Sequence, residues 1–216
     1  MTRSVLCFGD SNTHGTMPMA SLAEKGRFTR SDRWPSVAAE ALGEQWELIA
    51  EGHPGRTTVH QDPIEGEHKS GLLVLQSLLE SHRPIDLVLI MLGTNDLKHR
   101  FNVSAFEIAQ GVERLVGTIR QSACGPQQNM PAILVAAPPP ILEAGVLAEI
   151  FAGGANKSHQ LDDAFGAMSK RTGVPVFYTG KVCAVSPIDG IHFDADNHRA
   201  LGLALANEIE RLHGGH

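Results

Sequence analysis

The sequence predicts a three-layer α/β/α fold, a five-stranded parallel sheet with helices on both faces. Three observations predict it. Short apolar runs bounded by Gly, Pro or Asp recur along the 216 residues, and stretches with helical spacing lie between them. One run, Leu87-Val88-Leu89-Ile90-Met91-Leu92, is apolar at every position. Strands that alternate with helices imply a parallel sheet, and a continuous apolar run fits a strand covered on both sides.

In chain order, Val5-Leu6-Cys7-Phe8 stops at Gly9-Asp10 and reads as the first strand. Helical spacing over 35–42 precedes a second strand at 47–50. Spacing over 72–79 gives a helix, and 86–92 is the third strand. A helix over 106–119 leads to the fourth strand at 132–137, which ends against Pro138-Pro139-Pro140. A helix at 159–168, a fifth strand at 174–178 and a final helix at 197–212 complete the pattern. In the last helix Leu201, Leu205 and Ile209 recur at i, i+4 and i+8, one apolar face. Two longer irregular segments remain, 16–33 and 138–157, and loops of that length in a compact domain are often functional. The second carries Ile141, Leu142, Val146, Leu147, Ile150 and Phe151, an apolar load fit to line a pocket or meet another subunit.

Bulk properties narrow the function classes. A length of 216 favours one domain, 1–216. A formal charge of -6 with no basic cluster argues against nucleic acid as a partner. The apolar stretch before Gly9 is too short for a secretory or membrane-spanning segment, so no membrane partner and a cytoplasmic address are expected. Cys7, Cys124 and Cys183 are widely separated and lack a Cys-x-x-Cys pair, so they read as small buried hydrophobes. The histidines show no ligand spacing, and Asp194-Ala195-Asp196-Asn197 lacks the glycine and distal glutamate of a calcium loop. Asp194 and Asp196 read instead as N-cap candidates, and neither a metal nor another cofactor is expected.

In open parallel sheets, ligands bind beyond the carboxyl ends of the strands. Four segments converge there: Phe8-Gly9-Asp10-Ser11-Asn12, Gly52-His53-Pro54-Gly55-Arg56, Leu92-Gly93-Thr94-Asn95-Asp96 and Asp189-Gly190-Ile191-His192-Phe193. Together they hold a hydroxyl, donors for an oxyanion, an imidazole and a carboxylate. That set is what acyl transfer through a serine ester requires, because the hydroxyl is a weak nucleophile until a base takes its proton.

Gly9-Asp10-Ser11, Gly55, Gly93-Thr94-Asn95-Asp96 and Asp189-Gly190-Ile191-His192 resemble, in order and over nearly the whole chain, the blocks of the SGNH hydrolases, also called GDSL esterases. The compact bacterial arylesterases and acyltransferases of that family are the nearest in pattern. The resemblance implies a flavodoxin-like sheet, with Ser11 as nucleophile, His192 as general base and acid, and Asp189 as the carboxylate that orients the imidazole. It implies an oxyanion hole made of the Ser11 N–H, the Gly55 N–H and the Asn95 amide. Asn12, His14 and His53 flank the nucleophile and second loop and are expected to border the substrate. Asn12 departs from the leucine of many relatives, and His14 and Thr16 stand where aromatic residues are usual. Asp10 and Asp96 are expected to support their loops and not to react.

Each segment alone has a plainer reading: Gly-Asp-Ser as a strand-to-helix turn, Gly55 as a turn glycine, Asn95 as a cap, Asp189-Gly190 as a turn. Their joint placement at one sheet edge favours chemistry. The expected function is a serine esterase acting on short-chain carboxylic esters, aryl or carbohydrate acetates, with alcohols or hydrogen peroxide as alternative acceptors of the acyl group. A small-molecule ester is then the partner, and a homo-oligomer is expected from the resemblance. Two rivals stand beside it. One is a non-catalytic small-molecule or carbohydrate-binding protein on the same scaffold. The other is a phosphatase with Asp10 as nucleophile, which would want a second aspartate where the chain has Asn12.

Overall fold

The computed structural model describes residues 2–214. Five strands, β1 (Arg3–Gly9), β2 (Trp46–Gly52), β3 (Leu87–Met91), β4 (Ala132–Ala137) and β5 (Val176–Tyr178), form one sheet in the order β2-β1-β3-β4-β5. Every pairing is parallel. The helices are α1 (Ser11–His14), α2 (Trp34–Leu42), α3 (Gly71–His82), α4 (Ala105–Gln121), α5 (Gly154–Ser158), α6 (Leu161–Thr172) and α7 (Ala195–Gly214). This is the doubly wound, flavodoxin-like order expected, and its topological switch point lies between β1 and β3.

Alternation along the strands sorts the core into two layers. On one face Leu6, Phe8, Val88, Ile90 and Val135 pack with Leu75, Leu79, Ile108, Leu115 and Phe165 from α3, α4 and α6. On the other, Val5, Cys7, Leu89, Met91 and Leu134 pack with Trp34, Ala38, Leu201, Leu205 and Ile209 from α2 and α7. Both sides of the three central strands are therefore dry, which is why β3 is apolar throughout. The outer strands differ: β2 and β5 are mostly half-buried, because an edge strand has a neighbour on one side only. All three cysteines are buried free thiols.

Two expected elements change shape. The helix expected at 159–168 starts two residues later and runs unbroken as α6 to Thr172, and the short α5 (Gly154–Ser158) forms just before it, mostly within the segment 138–157 expected to be irregular. Segment 16–33 is ordered by an antiparallel bridge between Thr16 and Arg27, with Met17 N–H donating to Gly26 O at 3.0 Å and Phe28 N–H to Gly15 O at 2.8 Å. The sheet register then aligns the site. Gly9 lies level with Gly52 on one side and Met91 on the other, so β1, β2 and β3 stop together. Ser11, Gly55 and Asn95 each follow within a few residues.

Candidate active site

Ser11 opens α1 directly after β1. Asp10 caps this one-turn helix, its Oδ1 accepting the Asn12 N–H at 3.0 Å, and Gly15 closes it by donating to Ser11 O. The turn lies hard against β2. A Cβ on Gly52 would sit 2.1 Å from the His14 nitrogen, so only glycine allows this approach. Arg56 reinforces the strand end, with Nη1 donating to Gly9 O at 2.8 Å and its guanidinium 4.4 Å from the centre of the Phe8 ring.

The loop 189–192 folds around one carboxylate. Asp189 Oδ1 accepts the Ile191 and His192 N–H groups, both at 3.0 Å, and Oδ2 pairs with His192 Nδ1 at 2.7 Å. The Met19 N–H reaches Oδ2 as well, at 2.8 Å. Burial alone would raise the Asp189 pKa, but the His192 hydrogen bond and charge, with the two loop N–H groups, outweigh it and hold the carboxyl at about 2. Asp189 is thus an anion that fixes the imidazole by Nδ1 and leaves Nε2 for other work.

The loops after β2 and β3 are tied to each other. Asp96 accepts the Thr58 N–H through both oxygens, at 3.0 and 3.1 Å, and the Thr58 hydroxyl at 2.5 Å. Lys98 Nζ meets Glu65 at 2.5 Å and Asp62 at 3.5 Å, and Arg100 binds the same two carboxylates. These bonds hold Gly55 beside Asn95. The Asn95 amide also leans on Asp10, Nδ2 to Oδ2 at 3.4 Å. Burial raises the pKa of Asp10 to about 6, against the Asn12 hydrogen bond and the charges of His192 and Arg56. Burial likewise raises Asp96 to about 7, against its bonds from Thr58. Both carboxyls face inward and support loops. The backbone N–H groups of Ser11 and Gly55 donate to no protein group among the described residues.

A cavity of about 560 Å³ joins these parts, lined by Ser11, Gly55, Asn95 and His192. Met19 and Leu22 from segment 16–33 and Leu147, Ile150 and Phe151 from segment 138–157 supply an apolar wall, opposed by Glu65, Lys69 and Lys98. A hydroxyl, an imidazole backed by a carboxylate and free N–H donors at one concave wall can run nucleophilic acyl transfer. Among the described residues no group of three or more His, Cys, Asp or Glu side chains is placed to hold a metal ion.

The structure separates the three residues expected to border the substrate. His14 lines the cavity, its Nδ1 3.1 Å from the Thr16 hydroxyl. Burial and the charges of Arg27 and Arg33 lower its pKa to about 4, so it is a neutral wall at pH 7. His53 stands next to the cavity-lining Pro54 and Gly55, with its ring packed edge-on against His68 at 5.5 Å. Asn12 is corrected. Its amide is buried and spent on the loop around His192, with Nδ2 donating to Ile191 O at 3.0 Å and Oδ1 accepting the Phe193 N–H at 3.1 Å.

Sequence reasoning missed Met19, Thr58, Glu65, Lys69 and Lys98. Only Lys98 had a local signal, three residues past Asn95 in the same turn. The others depend on how loops from distant elements meet, which no spacing encodes.

Residues 7–200 match the model of the GDSL-like Lipase/Acylhydrolase family. An aryl esterase from M. smegmatis superposes with a TM-score of 0.93 at 39% identity, over 98% of this chain and 100% of that one. A carbohydrate acetylesterase from Sinorhizobium meliloti gives 0.94 at 38%, again over 98% and 100%. At 14% identity, a member of the lipolytic protein G-D-S-L family from Veillonella parvula shares the fold, with a TM-score of 0.61 over 96% and 98%. No curated protein matched in sequence. The chain belongs to the GDSL-like lipase/acylhydrolase, or SGNH hydrolase, family.

Proposed function

We propose that residues 1–216 form one serine esterase domain that works through an acyl-enzyme. The observation that carries this reading is the meeting of Ser11, His192, Gly55 and Asn95 in one cavity, with Asp189 2.7 Å behind the imidazole. His192 takes the Ser11 proton as Oγ attacks the ester carbonyl. The tetrahedral oxyanion is held by the Ser11 and Gly55 N–H groups and the Asn95 amide. His192 then protonates the departing alcohol, and water attacks the acyl-enzyme by the same route in reverse.

For the substrate, we infer short-chain carboxylic esters of aryl alcohols or carbohydrates. The names of the M. smegmatis and S. meliloti relatives support this at 39% and 38% identity. A cavity of about 560 Å³ suits a small ester. An alcohol or hydrogen peroxide in place of water would give acyl transfer or a peracid. His14 remains in the reading as a substrate neighbour. The phosphatase alternative loses support, because Asp10 caps α1, receives the Asn95 amide and is absent from the cavity wall.

Three buried free thiols support a reducing, cytoplasmic address. No described helix is long and apolar enough to cross a membrane. A homo-oligomer belongs to the proposal through exposed Leu142 and Ile188 on neighbouring loops, and light scattering tests it.

A fluorophosphonate probe tests the mechanism. It should label wild type at Ser11, lose that label in Ser11→Ala, and block turnover of 4-nitrophenyl acetate. A folded protein that neither takes the probe nor turns over aryl acetates would replace this reading with the non-catalytic one.

A further inference from the structure

We infer that Asn12 is a positioning residue for His192, the clamp that sets the imidazole against the Ser11 hydroxyl. The inference rests on the serine-esterase reading above and adds a role for a residue outside its reacting groups. Asn12 follows Ser11 within the single turn of α1, yet the two side chains serve opposite sides. Ser11 lines the cavity, whereas the Asn12 amide is buried and reaches across to a loop about 180 residues away. There it grips the backbone on either side of His192. Its Nδ2 donates to Ile191 O at 3.0 Å, and its Oδ1 accepts the Phe193 N–H at 3.1 Å.

Among the described residues neither backbone group has another partner. Both residues are buried, so no water replaces the amide without opening the loop. Asn12 is itself fixed, because its own N–H is held by the Asp10 cap at 3.0 Å. One rigid turn therefore carries the hydroxyl on one side and the base's backbone on the other. Asp189 sets how the imidazole is rotated and charged. Asn12 sets where the residue bearing it stands. Aspartate keeps the acceptor but loses a donor, and leucine keeps the bulk but loses both, so asparagine fits both ends of the clamp.

The test compares wild type with Asn12→Leu and Asn12→Ala, all rates being expressed per site titrated with fluorophosphonate. Val116→Ala, a core change in α4, controls for lost stability. The clamp predicts that kcat for 4-nitrophenyl acetate falls by about 10- to 100-fold in both Asn12 variants with KM within about twofold, because misplacement near 1 Å costs rate and not binding. The probe should react with Ser11 correspondingly slowly. The low-field proton of the His192–Asp189 bond should move or broaden in the Asn12 variants and stay in place in Val116→Ala. An unchanged kcat per titrated site in either folded Asn12 variant overturns the clamp and leaves the esterase reading intact. Wild type that refuses the probe and shows no turnover overturns the esterase reading itself, and the clamp with it. If Asn12→Leu does not fold, Asn12→Ala, which inserts no branched side chain, decides the question alone.

Discussion

The backbone N–H of Met19 donates to Asp189 Oδ2 at 2.8 Å, the same oxygen that pairs with His192 Nδ1. A loop that lines the cavity therefore also helps charge the group behind the imidazole. Asp189 is surrounded by donors: Met19, Ile191 and His192 from the backbone, and Nδ1 from the ring.

That environment predicts the behaviour of Asp189→Asn. An amide has one acceptor oxygen where the carboxylate has two, so its NH2 must face at least one N–H donor. If it faces His192, the ring takes the wrong tautomer and Nε2 cannot accept the Ser11 proton. The expected result is a fall in kcat of up to about 10⁴-fold with KM little changed. Steady-state kinetics on an aryl acetate check it, and an unchanged kcat would remove Asp189 from the reaction.

Gly55 sits at φ +81°, and a Cβ there would lie 2.6 Å from Glu65 Oε2 and 3.2 Å from the Lys69 stem. The Glu65 carboxylate can swing aside, but the positive φ cannot be relieved without re-aiming the Gly55 N–H. Gly55→Ala should cost about 1–2 kcal/mol of stability. It should also lower kcat toward the roughly 10²- to 10³-fold loss seen when an oxyanion donor is removed. Thermal melting and kinetics on the same sample separate the two effects.

The Thr58–Asp96 bonds hold the two oxyanion loops together, and Asp96 is fully buried. Thr58→Val keeps the shape and deletes the hydroxyl donor. It should destabilise by about 1–3 kcal/mol, since a buried carboxyl is left short of a partner. The pKa of Asp96, already raised to about 7 by burial against the Thr58 bonds, should rise further. Urea unfolding at pH 6 and pH 8 checks this, and the deficit of the variant should be larger at pH 8, where the folded state must hold the charge.

How much of this was legible in the sequence follows from where each residue's partners lie. β3 and β4 were readable because central strands in a parallel sheet are dry on both faces, and Leu87 to Leu92 carry that environment in their side chains. The Asp189–His192 pair was readable because its members are three residues apart and one tight loop joins them. Asn12 was misjudged because position beside Ser11 says nothing of direction, and its partners Ile191 and Phe193 are supplied by another loop. The packing of the His53 ring on His68 was hidden for the same reason, since sequence position does not give the direction of a ring. Of the charged wall, Lys98 alone had a local signal, and its meeting with Glu65 and Lys69 was invisible because those two come from another loop.

His198 offers a prediction for acid stability. It is fully buried, its Nδ1 3.4 Å from the Trp34 N–H and its ring edge-on to Phe28 at 5.2 Å and Phe193 at 5.5 Å. Burial, helped by the positive charges of His192 and Arg33 and opposed in small part by Asp32, lowers its pKa from 6.5 to about 4. In the unfolded chain the ring takes up its proton near pH 6.5, whereas in the folded protein it waits until about pH 4. The unfolded state thus binds more protons across that window, and stability falls as pH drops through it. The contribution is fully present above pH 6.5 and gone below about pH 4. Between pH 7 and pH 5 it amounts to about 2 kcal/mol. His198→Gln keeps an acceptor for the Trp34 N–H and does not titrate. It should be less stable than wild type at pH 7, through lost ring packing, and lose less stability on acidification to pH 5. Urea unfolding of both proteins at the two pH values measures the difference, and parallel losses would mean that His198 does not set this slope.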